Sequence, residues 1–273
     1  MRPAVIPPSC FRRRAAASRN RSAGSTRPGS AIGLDVLTAA YERVARETWA
    51  EAHPTGGPAE KALHALEKTA AKLADAHTDP DLFVAFRDAQ RAYASTLKAG
   101  AHVGKAPWLV SDFVTLGSPL SKAQILITRN RERFDFRVGA RGLATCPPFF
   151  EQTTPPRFSY EVARNRWGPH HAAPFASTVW TNVYFPSRLI LFGDIVSGPV
   201  APLFGPGVRD VKLRIAAPRF RHNDYWLSPE ADPAPEWICA LRKALNLRLA
   251  LEEVVWDPGD TARMINARRE RAR

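Results

Sequence analysis

Two residues in the second half of the chain have the types and the order for acid–base chemistry. Asp194 follows Gly193 at the end of the apolar run Arg188 to Phe192, and His222 comes after a second apolar segment, Asp210 to Ile215. A carboxylate on the turn after one strand can accept the Nδ1 hydrogen of a histidine on the loop after the next. It then fixes the ring's tautomer and stabilises the imidazolium, which makes the ring a general base for a hydroxyl nucleophile. The hydroxyl is what the sequence lacks: no G-x-S-x-G segment, the sharp turn that exposes a nucleophilic serine, occurs in the 273 residues. Ser118, in Leu116-Gly117-Ser118-Pro119, is unsuited because Pro119 removes the backbone N–H that an oxyanion hole would take from the next residue; it reads as a turn or site wall. Among rival acids, Asp210 opens a strand and Asp224 lies too near His222. A Gly-Asp pair after a strand is also ordinary turn chemistry. The Tyr225-Trp226 pair would anchor the histidine loop by burial.

Other chemistries find less support. The cysteines, Cys10, Cys146 and Cys239, are odd in number and widely spaced with no C-x-x-C, which argues against a disulfide framework or a zinc knuckle. His170-His171 has no carboxylate at ligand spacing, so no metal is expected, and no cofactor motif is present. Residues 1–30 carry seven arginines and no acid, and residues 263–273 five arginines and one glutamate, so of the net +13 only +2 belongs to the residues between. With the charge in the tails and a single aromatic residue, Phe11, among those arginines, neither nucleic acid nor a membrane surface is the expected partner. No run reaches the roughly 18 apolar residues of a membrane span and no signal peptide is evident, so the expected compartment is the cytoplasm.

The elements that must position Asp194 and His222 are legible as patterns. With 45% hydrophobic and 24% charged residues the chain can build a core, and 24 prolines predict long connections. Three amphipathic helices are predicted over Ile32 to Ala52, Glu60 to Ala76 and Pro80 to Leu97, the last started by the Asp79-Pro80 pair. Leu109 to Leu116 reads as a buried strand and Ser121 to Thr128 as a short helix. Arg129 to Phe175 is expected to be an irregular wall or lid. Val179 to Tyr184 reads as an apolar approach, Arg188 to Phe192 and Asp210 to Ile215 as strands, and Pro235 to Val254 as a closing helix. Strands alternating with helices imply an α/β fold with a parallel sheet. The expected organisation is a disordered basic tail over 1–30, a helical segment over 31–107, an α/β domain over 108–258 and a basic tail over 259–273.

In their order, these segments resemble a family of uncharacterised bacterial α/β-hydrolase-like proteins, lipase- or esterase-like. WLVSDFVTLGSPLSKAQILI is similar to the strand and turn after that family's nucleophile helix, VWTNVYF and ILFGDIVSGPVAPLFG to the strand and loop bearing its acid, and HNDYW to its histidine loop. The helix with Phe86, Gln90 and Tyr93 also fits. Further back, TRPGSAIGLDVL is similar to the stretch that reads His-Ser-Leu-Gly-Ser in relatives; Gly29, Ser30, Ile32, Asp35 and Leu37 fit, while Arg27 stands at the nucleophile position. The resemblance implies the C-terminal part of an α/β-hydrolase-like domain whose intact relatives are serine hydrolases acting on ester, acyl or lipid-like small molecules. Here Asp194 and His222 would be catalytic and the chain itself inactive. The abrupt end of the agreement before Gly29 is what a frameshift, a misplaced start or a truncation produces; a non-catalytic binding module is the alternative.

Overall fold

The computed structural model describes residues 29–99, 108–187, 193–214, 222, 225 and 235–245. Helices α1 (Gly29–Ala52), α2 (Pro58–Asp75) and α3 (Pro80–Ala99) come first, then strand β1 (Asp112–Leu116). A 3-10 turn (Pro119–Lys122) and helices α4 (Ala123–Leu126) and α5 (Arg131–Gly139) follow, then strands β2 (Ser159–Ala163), β3 (Arg166–Pro169) and β4 (Val179–Tyr184). The described chain continues with α6 (Ala201–Phe204), β5 (Arg209–Lys212) and α7 (Glu236–Ala244). The fold is α/β with a small parallel sheet and a helical N-terminal part, as the patterns predict.

The sheet has the order β1-β4-β5, and both pairings are parallel, with Asp112 opposite Val179 and Thr181 opposite Arg209. Parallel strands all present their carboxyl ends at one edge. β4, expected only as an apolar approach, is the central strand and is buried at every position, as a sheet covered on both faces requires. Trp180 anchors it, stacked on Phe175 with centroids 4.6 Å apart and packed edgewise on Phe113 at 5.4 Å. The predicted strand Arg188 to Phe192 lies outside the described residues, as do Ile215 and the predicted closing helix beyond Leu245.

The helices begin where their caps dictate. Asp79 Oδ1 accepts from the N–H groups of Asp81 and Leu82, so the Asp-Pro pair opens α3. α3 then fastens the sheet: Gln90 Nε2 donates to the Phe175 carbonyl at 2.6 Å, just before β4. One expectation is corrected. The segment 129–175 is not an irregular lid but holds α5 and the antiparallel β2–β3 hairpin, and it buries Phe134, Phe158, His170 and Phe175 in the main core. Its dispersed aromatics are spaced to fill that core. Asn130 caps α5 by accepting from Arg133 N–H, and Asn165 in the hairpin turn takes a φ of 57°, a conformation asparagine tolerates. Glu67 of α2 pins the hairpin by accepting from Phe158 and Ser159 N–H.

Where α1 meets α3, His53 is fully buried; its Nδ1 donates to the Trp49 carbonyl at 3.1 Å, and its Nε2 accepts from the Tyr93 hydroxyl at 2.7 Å. Burial lowers its pKa from 6.5 to about 4, so the ring is neutral in the fold. Between those values the unfolded chain binds the proton and the fold does not, so stability falls as the pH drops through this window, by on the order of 3 kcal/mol. Urea unfolding at stepped pH is expected to show that loss, and His53→Gln is expected to flatten it.

Candidate functional site

Asp194 and His222 meet at the carboxyl edge of the sheet. Gly193, with a φ of 90°, turns the chain in a conformation that favours glycine and delivers Asp194 to a fully buried position. The acid lies 28 residues before the histidine, and His222 Nδ1 donates to its two oxygens at 3.1 and 3.2 Å. Because the carboxylate only accepts, the contact fixes the proton on Nδ1. The ring is partly exposed and the acid is not.

The turn reading and the acid reading of Asp194 hold together. Oδ1 accepts from Val196 N–H at 2.9 Å and Ser197 N–H at 3.2 Å, which closes the turn after Gly193. Oδ2 accepts the Tyr225 hydroxyl at 3.1 Å. Burial by itself would raise the carboxyl pKa, but hydrogen bonds from Ser197, His222 and Val196 more than offset it and hold the group below the usual aspartate value. Asp194 is therefore a charged, buried acceptor at neutral pH.

Tyr225 does more than burial of an aromatic ring predicts. Its hydroxyl accepts from Phe185 N–H at 2.7 Å, just past β4, and lies 3.2 Å from the Ser197 hydroxyl. Its ring closes on Gly117 at the end of β1, where a β-carbon would come within 2.5 Å of Cε2, and Gly117 itself has a φ of 59°. Only glycine fits there. The hydrogen-bonding role of Tyr225 and Ser197 is not signalled by spacing; the D-x-x-S pattern of a turn is the nearest hint.

The remaining candidates fall into place around this pair. Ser118 accepts from Leu120 N–H to start the 3-10 turn and donates to the Ser30 hydroxyl at 2.9 Å, so the second residue of α1 sits beside the end of β1. Lys122 reaches the Ile195 carbonyl and ties that turn to the acid loop. Asp210 is spent on structure: it accepts from the N–H groups of Val200 and Ala201, which open α6, and from Asn182 Nδ2 at 2.7 Å. Asp224 and Arg27 lie outside the described residues. His170 is buried between the Phe149 carbonyl and Ala172 N–H, and among the described residues no group of three metal-ligating side chains occurs. The buried Cys146 thiol is pushed up to about 12 by burial, which makes it a poor nucleophile.

Two grooves, of about 210 and 360 Å³, lie under α7 and at the amino ends of the strands, and neither is lined by Asp194 or His222. Among the described residues no helix is long and apolar enough to cross a membrane.

Removing the charge from Asp194 leaves an amide facing four donors. Asp194→Asn is expected to lower stability at pH 7 by about 3 kcal/mol. A depressed folded pKa contributes stability above the ordinary aspartate range that is lost as the pH falls through the folded value. The gap between wild type and variant in urea unfolding should therefore close in acid. Comparison with family models, curated proteins and solved structures finds no match.

Proposed function

We propose that this chain carries the acid–base half of a serine-hydrolase-type centre, on the C-terminal part of an α/β-hydrolase-like domain whose intact relatives act on ester or acyl substrates. The observation that carries this reading is the hydrogen bond from His222 Nδ1 to the buried Asp194 at the carboxyl edge of parallel strands taken in chain order. An acid after the second strand and a histidine after the third is the order in which such a centre receives these parts. The start of α1 supports it, since the Ser30–Ser118 contact brings that helix end to the same edge, where the turn into the first helix would present a nucleophile.

In this reading Asp194 orients the imidazole and stabilises its protonated form, and Tyr225 with the turn N–H groups keeps Asp194 ionised. β1 is an edge strand among the described residues. Arg27, where the resemblance places the nucleophile, has no hydroxyl to offer, and in this reading the chain by itself does not turn over esters. A second reading, a non-catalytic binding module, is favoured by the groove at the opposite edge of the sheet.

Two measurements test the proposal. Imidazole ¹⁵N spectra are expected to show His222 as the Nδ1–H tautomer in the wild type, with that preference lost in Asp194→Asn; a dominant Nε2–H form in the wild type would remove the acid–base pair. A fluorophosphonate probe is expected to leave the purified chain unlabelled. Stoichiometric labelling of a serine would show that a nucleophile is present after all.

A further inference from the structure

The groove at the amino edge collects charge that the Asp194–His222 reading does not use. Asp112, Val179 and Arg209 are the first residues of β1, β4 and β5, and all three line this space of about 360 Å³. Arg87 of α3 projects to it from below and is only 5% exposed. Its Nη2 donates to the Trp180 carbonyl at 2.5 Å and its guanidinium lies 5.0 Å from the Phe83 ring, but its Nε is buried with no hydrogen-bond partner. No ion pair joins it to a carboxylate among the described residues. Burial lowers its pKa only to about 10, so the group stays charged at neutral pH. A buried cation without a counter-ion is costly, and folded proteins ordinarily supply the missing charge.

The surroundings add cations. Arg91, Arg209 and Lys243 line the same groove and are exposed, while the acids there are Asp88 and Asp112. Asp88 faces Arg91 at 3.4 Å in a solvated pair of small value. Four cations against two carboxylates leave an excess of two, which matches a phosphate group at neutral pH better than a single carboxylate. A space of this size suits one small molecule and not an extended polyanion.

We propose that this groove binds a small phosphate-bearing molecule, with Arg87 as the buried anchor and Arg91, Arg209 and Lys243 as the rim. The site lies at the opposite edge of the sheet from His222 and stands whether or not the acid–base reading holds. Arginine supplies a fork of donors that matches phosphate oxygens.

Calorimetric titration of the full chain with inorganic phosphate, against sodium chloride at equal ionic strength, tests it. Saturable binding at one site and a rise in melting temperature with phosphate alone are expected. Arg209→Gln with Lys243→Gln, both at exposed positions, should weaken binding at least about tenfold while leaving the melting temperature without phosphate unchanged. Arg87→Lys, which keeps the charge but loses the fork, should also weaken it. Absence of binding, an equal effect from sodium chloride, or unaltered affinity in the double variant would overturn the proposal. So would salt-sensitive binding of RNA with none of inorganic phosphate, which would assign the cations to a nucleic acid.

Discussion

The arrangement of the carboxyl edge depends on keeping one buried charge satisfied. Asp194 is fully removed from water and stays ionised, which requires donors on every side of its carboxylate. They come from two places: the N–H groups of Val196 and Ser197 in its own turn, and His222 and Tyr225 from after β5. Tyr225 is fixed in turn by Phe185 N–H beyond β4 and by the close fit of its ring on Gly117 beyond β1. A single charge thus ties together the ends of two strands and the segment that carries the histidine. Its demand for donors, more than apolar contact, determines where the imidazole stands.

A second acid performs the complementary task. Asn182, buried in the middle of β4, accepts from Thr115 of β1 and donates to Asp210 of β5 and to the Gly198 carbonyl. Trp180 Nε1 reaches the same Thr115 hydroxyl at 3.3 Å. This polar line crosses all three strands, and Asp210 then holds the start of α6. The connection from β4 to α6 is therefore held past its middle by Asp194 and at its end by Asp210. Such connected buried networks specify a single arrangement because every broken link would leave a desolvated group.

Much of this was legible in the sequence, though unevenly. Apolar period gave the three long helices to within a few residues and Asp79-Pro80 gave the start of α3, because those signals are local. The pairing of Asp194 with His222 was legible from their order taken together with the resemblance, since a Gly-Asp pair after a strand by itself reads as turn chemistry. Three things were not. Val179 to Tyr184 looked like an approach because a central parallel strand has no alternation to show. The β2–β3 hairpin was hidden because its turn, Arg164-Asn165, carries no glycine and its strands are short. Arg87 and Gln90 on the buried face of α3 interrupt the apolar stripe, and their partners, the carbonyls of Trp180 and Phe175, lie more than 80 residues away.

The two edges of the sheet handle buried charge differently, and the contrast bears on what each can do. At the carboxyl edge Asp194 has two backbone N–H groups, an imidazole and a phenol around it, so its charge is answered within the protein. At the amino edge Arg87 has one backbone carbonyl and the face of Phe83, and its Nε has nothing. Both groups gain a little from the chain, since carbonyls and N–H groups are available wherever strands end. A carboxylate with every lone-pair direction occupied is suited to orienting a neighbour and not to capturing a solute. A buried guanidinium that lines an open groove and has no carboxylate paired to it among the described residues is suited to the reverse. The same parallel sheet thus keeps an internally balanced acid–histidine pair at one end and an unbalanced cation at the other, too far apart in the strand direction for one ligand to serve both.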